Sequence, residues 1–295
     1  MSDGELVTPE LLGSWRPPAV PDHGDKETRG RVLVLAGGAQ VAGATLLTAT
    51  AAMRAGAGKL QIAAPRSLAQ GLAFAMPEAR VLSCPETAEG ELAPEAAETL
   101  RSALGRARAA VIGPGMIEDE PAGELALRLV EAGGPPMVVD AAAMRGLADA
   151  PDRARARQGE LVLTPHAGEM AGLLGCSKDD LARDALGLAR KAAAEWKAVV
   201  VLKGATTLIV SPDGKAWRHE AGHAGLATSG SGDVLAGVIA GLIARGASPA
   251  QAAVWGVAAH SRAGARLAAR IARIGYLARE LVDEVAPTMA ELGGA

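Results

Sequence analysis

The sequence predicts an α/β domain built on a mainly parallel sheet with helices on both faces, and three observations carry that expectation. Short apolar runs at 31–36, 109–112 and 199–202 have the length and the continuity of strands covered on both sides. Segments with helical spacing of apolar residues stand between such runs, so strand and helix alternate along the chain. Glycines collect just past the runs, at Gly37-Gly38, Gly113-Pro114-Gly115 and Gly204. Open parallel sheets place their ligands at those strand ends.

In chain order, residues 1–30 read as an N-terminal arm, with prolines at 17 and 18 and a short helix begun by Thr8-Pro9-Glu10. Residues 31–295 read as a single domain. Its first strand (31–36) meets Gly37-Gly38, and Gly43-Ala44-Thr45 opens a helix running to about Ala55. These glycines do not fit G-x-G-x-x-G, so a dinucleotide fingerprint is not supported. Strands follow at 59–64 and 79–83, with a helical turn or two at 67–76 between them. An amphipathic helix at 94–104 leads to the strand at 109–112, and Gly113-Pro114-Gly115 stands at its end as either a ligand loop or a tight turn.

A helix at 120–132 is broken by Gly133-Gly134-Pro135-Pro136, after which the strand 137–140 carries Asp140 at its tip. That carboxylate either orients a metal or a base, or caps the helix at 141–147. Residues 149–158 are Arg-rich and read as a solvated connection. The strand 161–163 enters Thr164-Pro165-His166-Ala167-Gly168-Glu169, which places His166 and Glu169 at a helix start. One helix is expected over 181–196, and the strand 199–202 ends in Lys203-Gly204-Ala205-Thr206-Thr207. Pro212-Asp213-Gly214 turns a hairpin between 208–210 and 216–219, expected at the sheet edge. Helices at 250–270 and 276–292 close the chain.

The bulk numbers narrow the function classes. The chain has 295 residues, 49% hydrophobic and 21% charged, enough for one large core. A net charge of −3 gives no electrostatic footprint for nucleic acid or an anionic membrane surface, and 2% aromatics leave little to stack on bases. Cys84 and Cys176 lie in no metal-ligand spacing and fit a reducing compartment. The acidic first ten residues lack the order of a signal peptide, and no apolar run reads as membrane-spanning. A cytoplasmic location is expected.

The most informative stretch is Gly222-His223-Ala224-Gly225-Leu226-Ala227-Thr228-Ser229-Gly230-Ser231-Gly232-Asp233, followed by a helix with Val234, Leu235, Val238, Ile239 and Leu242 in register. Amides at a helix start have no intrahelical partner, and glycines let them approach an anion, so Gly230-Ser231-Gly232 fits a phosphate cradle. A carboxylate beside bound phosphate repels it unless it deprotonates a hydroxyl or works with a metal ion, which makes Asp233 a candidate base. The bland alternative is that Ser231 and Asp233 cap the helix, worth about 1 kcal/mol.

Taken together, Gly43-Ala44, Gly113-Pro114-Gly115, Thr164-Pro165-His166-x-Gly168-Glu169, Val201-Leu202-Lys203-Gly204-Ala205-x-Thr207 and Gly225-Leu226-Ala227-x-x-Gly230-x-Gly232-Asp233 resemble the ADP-dependent NAD(P)H-hydrate dehydratases, within the ribokinase-like superfamily. The likeness runs from about residue 31 to 292. It implies a three-layer ribokinase-like fold and an enzyme that repairs hydrated nicotinamide cofactors (NADHX and NADPHX), with ADP as co-substrate and Mg²⁺ accompanying it. It implies Asp233 as catalytic base and Lys203, Gly204, Ala205, Thr206, Thr207, Gly230, Ser231 and Gly232 as nucleotide-binding. Ala44, Gly115, His166 and Asp233 would meet the hydrate. A homo-oligomer is expected, paired functionally with an epimerase on a separate polypeptide. Where family members carry Gly-Asn-x-Gly before the phosphate loop, this chain has Gly222-His223-Ala224-Gly225, and Asp25-Lys26-Glu27 stands for His-Lys-Gly. The rival readings are a small-molecule kinase of the same superfamily, phosphorylating an alcohol, and a silent nucleotide-binding sensor. The Thr-Pro-His-x-Gly-Glu stretch favours the dehydratase, and Asp233 argues against the sensor.

Overall fold

The computed structural model describes residues 3–19, 25–220 and 222–293. Ten strands form one sheet: β1 (Glu5–Leu6), β2 (Arg31–Leu35), β3 (Lys59–Pro65), β4 (Ala79–Cys84), β5 (Ala109–Ile112), β6 (Met137–Val139), β7 (Leu161–Leu163), β8 (Val199–Leu202), β9 (Thr207–Val210) and β10 (Ala216–His219). Their order across the sheet is β1-β10-β9-β8-β7-β6-β5-β2-β3-β4, and β9 alone runs against its neighbours.

Side chains alternate across each strand, so β2 sends Val32 and Val34 to one core and Leu33 and Leu35 to the other. Residues of α1 (Pro9–Ser14), α2 (Ala42–Arg54) and α3 (Arg66–Ala75) pack in the first core. The second holds α4 (Ala96–Leu104), α5 (Asp119–Glu131), α6 (Met144–Asp149), α7 (Pro151–Arg155), α8 (Ala167–Leu174), α9 (Lys178–Arg183) and α10 (Ala185–Trp196). The chain then returns to the first core with α11 (Ser231–Ala244), α12 (Pro249–Arg270) and α13 (Ala278–Glu291). Sheet and two helical layers make the expected three-layer α/β architecture. Gly237 and Gly241 let α11 close onto α2, because a Cβ there would stand 2.3 Å from the Thr48 and Ala52 carbonyl oxygens respectively.

Three local expectations change. The helix expected over 181–196 is two helices, because Asp184 ends α9 with φ −144° and its carboxylate then caps α10 by accepting from the Gly187 amide at 2.9 Å. The Arg-rich connection is not wholly solvated. Arg157 is buried, and its guanidinium donates to the Pro135 carbonyl at 2.7 Å and the Gly134 carbonyl at 3.0 Å. The hairpin is not the outermost pair, since β1 runs parallel to β10 outside it. Trp15 secures that side: its ring stacks on Trp217 at 5.3 Å, and its carbonyl accepts from Trp255 Nε1 at 2.7 Å.

Candidate active site

The chain places β3 and β4 to one side of β2 and then crosses back to lay β5 on the other. That reversal makes the C-terminal ends of β2 and β5 a topological switch point, where α/β sheets open a crevice. Here the crevice is lined by glycine. The Gly37 amide donates to the Pro114 carbonyl at 2.7 Å, which sews the two loops together. Gly115 has φ +68°, and a Cβ on it would stand 2.2 Å from the Ala44 Cβ. The predicted substrate contacts Ala44 and Gly115 therefore touch, at the start of α2.

One turn further along α2, Thr48 Oγ1 donates to the Asp233 carbonyl at 3.2 Å, which ties this wall to α11. Gly230 begins α11 in the left-handed region (φ 86°), and no side chain caps the helix. The capping alternative for Ser231 and Asp233 is thereby excluded. Ser231 turns to α12 instead: His260 Nε2 lies 3.0 Å from both its hydroxyl and its carbonyl oxygen. A carbonyl only accepts, so Nε2 carries the hydrogen and cannot serve Ser231 as a base. Burial pushes the His260 ring down to about 4, which keeps this anchor neutral.

Strand ends β6, β7 and β8 supply the charges. Lys203 follows β8, and its amide donates to the Pro165 carbonyl at 2.8 Å. Its ammonium lies 3.0 Å from Asp140 Oδ1 and 3.8 Å from Glu169 Oε2. It also stands 3.6 Å from where a Gly232 Cβ would be, at the first turn of α11. Burial disfavours the charged amine, yet Asp140, Glu169 and Asp233 outweigh it and hold the ammonium above its usual range. Burial pushes the Asp233 carboxyl up to about 6; the Asp140 charge adds to the rise and Lys203 opposes it. A carboxyl so placed accepts a proton near neutrality, as a general base must.

The other predicted residues fall at the rim. Gly204, Ala205 and Thr206 form an exposed bend before Thr207 begins β9, and a Gly222 Cβ would stand 2.1 Å from the Ala205 carbonyl oxygen. His166 is the cap of α8. Its Nδ1 accepts from the Gly168 and Glu169 amides at 2.9 and 3.1 Å, and the Glu169 carboxylate accepts from the His166 amide at 2.6 Å. The ring's acceptor is thus committed, and Nε2, 3.6 Å from Glu169 Oε1, is the ring atom left to meet a ligand. Sequence reasoning missed Thr48 and His260, whose only signal is burial in a helix. It left Asp140 open between cap and charge; the carboxylate makes no capping bond.

Among the described residues no group of three or more His, Cys, Asp or Glu could hold a metal ion, and no helix is long and apolar enough to cross a membrane.

Comparison with known proteins gives the family and the fold. The family model for NAD(P)H-hydrate dehydratase matches residues 32–287. The ADP-dependent (S)-NAD(P)H-hydrate dehydratase of Xanthomonas campestris is 46% identical over 263 residues, 89% of each chain. The bifunctional NAD(P)H-hydrate repair enzyme of Escherichia coli is 38% identical over 92% of this chain, which spans 50% of that longer protein. The ADP/ATP-dependent NAD(P)H-hydrate dehydratase of Bacillus subtilis, co-crystallised with ATP/Mg²⁺, superposes with a TM-score of 0.82 at 26% identity, covering 99% of this chain and 100% of that one. Hydroxyethylthiazole kinase of Pyrococcus horikoshii shares the fold alone (TM-score 0.59, 18% identity). Fold, crevice and sequence converge: the chain belongs to the NAD(P)H-hydrate dehydratase family.

Proposed function

We propose that this protein dehydrates the S-epimer of NADHX or NADPHX at the expense of ADP, yielding NADH or NADPH, AMP and phosphate. The observation that carries the reading is the desolvated Asp233 carboxyl, within the field of Lys203, at the uncapped start of α11. Hydroxide leaves a hydrated ring poorly, and phosphate leaves well. Asp233 takes the proton of the ring hydroxyl as that oxygen attacks the β-phosphorus of ADP, and the bond to AMP breaks. The amides at Gly232 and Asp233 and the Lys203 ammonium stabilise the charge on the transferred group. The ring nitrogen's lone pair then expels phosphate, and loss of a proton from the neighbouring carbon restores the dihydronicotinamide.

Mg²⁺ would accompany the nucleotide's phosphates, where it would neutralise charge. The test mixes purified protein, enzymatically prepared hydrate and either ADP or ATP. Growth of reduced-nicotinamide absorbance with matching phosphate release supports the reading; a stable phosphate ester instead indicates a kinase.

An epimerase activity is proposed to supply the S form, in the cytoplasm. A homo-oligomer is also proposed, favoured by Phe74, which is 81% exposed; light scattering giving the mass of one chain would refute it.

His166 is assigned to the hydrate through Nε2–H. His166→Asn should keep the α8 cap, since Asn caps well, while removing that donor. Hydrate affinity is then expected to fall by about 1 to 3 kcal/mol with ADP affinity, measured by calorimetry, unchanged. Loss of ADP binding instead would invert the pocket assignment.

A further inference from the structure

Asp140 belongs to none of the residue sets assigned so far, yet the fold holds it with unusual firmness. Its side chain is 5% exposed, and Oδ1 accepts from Thr164 Oγ1 at 2.6 Å as well as from Lys203 Nζ at 3.0 Å. Its amide donates to the Ile112 carbonyl at 2.9 Å. Gly113 is packed against its carbonyl, and Ala141 after it takes a left-handed conformation (φ 48°). A non-glycine residue in that region is strained, and such strain persists only where the surroundings impose it.

From this geometry we infer that Asp140 is a positioning residue, which holds the Lys203 ammonium beneath the phosphate loop and away from the catalytic base. The inference rests on the phosphoryl-transfer reading given above. Lysine is a point charge on a flexible four-carbon stem, so its location must be set by what binds it. Asp140, Glu169 and Asp233 all attract this ammonium. Were it to pair directly with Asp233, it would hold that carboxylate in its charged form and weaken it as a base. The short bond to Asp140, itself fixed by Thr164, keeps Nζ beside Oδ1 and in reach of the Gly232 backbone. There it meets the transferred phosphate, while Asp233 faces the hydroxyl.

The groups around Asp233 are Asp140 after β6, Lys203 after β8, Glu169 on α8 through that lysine, Thr48 on α2 at the Asp233 carbonyl, and the neutral pair of Ser231 on α11 with His260 on α12.

The experiment is a double-mutant cycle of Asp140→Asn and Lys203→Met, read by steady-state kinetics. Asp140→Asn is expected to lower kcat by about 10²-fold, the loss typical of a misplaced catalytic group, with little change in KM for ADP. The double variant should be no slower than Lys203→Met alone, because Asp140 acts through the lysine. Carboxyl NMR titration of Asp233 in the substrate-free protein should show its midpoint moving to lower pH in Asp140→Asn. This arm needs no turnover, so it separates a failure of the positioning role from a failure of the dehydratase reading. Additive losses in the cycle, or an unmoved Asp233 midpoint, overturn the inference. If Asp140→Asn does not fold, Thr164→Val, which removes the second bond to Oδ1 and a long one to the Val139 carbonyl, is expected to move the midpoint in the same direction by less. No movement in that variant overturns the inference equally.

Discussion

Asp233→Asn is expected to lower turnover by about 10²- to 10⁴-fold while leaving ADP bound, the range seen when a general base is removed from an otherwise intact site. The amide is isosteric and the helix start keeps its backbone, so the phosphate cradle survives. Calorimetry should show ADP affinity retained or raised, since a negative charge near the phosphates is gone. The pH dependence gives a second readout with a definite sign. Asp233 must be ionised to accept a proton, and its carboxyl is raised to about 6. Wild-type kcat/KM should therefore fall as pH drops below that value and level off above it. Residual activity of the Asn variant should lack this limb. Near-wild-type turnover in Asp233→Asn would end its assignment as base.

Gly113→Ala is expected to destabilise the protein by about 4 kcal/mol or more, which places it among the severe single substitutions. Gly113 has φ +112°, and a Cβ there would stand 1.8 Å from the Asp140 carbonyl oxygen and 2.9 Å from the Ala143 Cβ. Neither neighbour is the end of a flexible side chain. Gly113 also donates to the Leu35 carbonyl at 3.1 Å, so the clash cannot be relieved without loosening the join between β2 and β5. Gly133 is the control. It too has positive φ (73°), but a Cβ there meets nothing within 4 Å, so Gly133→Ala should cost only about 1–2 kcal/mol of backbone strain. Urea unfolding of both variants separates the effects. Equal stabilities would show that the crevice yields more easily than its geometry implies.

What could be read from the sequence was local. Apolar runs such as 109–112 mark buried strands because a parallel sheet covers both faces, and glycines after them mark backbone approach. The turn at 230–233 stood out as a candidate because glycines and a carboxylate crowd a helix start, although a helix cap explained the same residues, and only the geometry shows that no side chain caps α11. What failed was either ambiguous locally or fixed at long range. Asp184 stops one helix and starts another, but the apolar spacing on either side of it runs on without a break. Arg157 looks like any surface arginine, and only the return of the chain past Gly134 and Pro135 buries it. Asp140 and Lys203 each stood visibly at a strand tip, 63 positions apart. That they meet follows from β6, β7 and β8 lying side by side, an order no local pattern encodes.

The pairing of β1 with β10 also imposes a timetable. As the chain leaves the ribosome, Val7, Leu12 and Trp15 emerge long before the surfaces that receive them. Trp15 and its partner Trp255 are 240 positions apart, so at synthesis rates of about 5 to 20 residues per second the segment waits tens of seconds. Throughout that wait its apolar side chains have no home, and the outer edge of the growing sheet has no cover. Docking of this early-made segment must wait for β10 and α12, and until then the open edge is a template for mispairing.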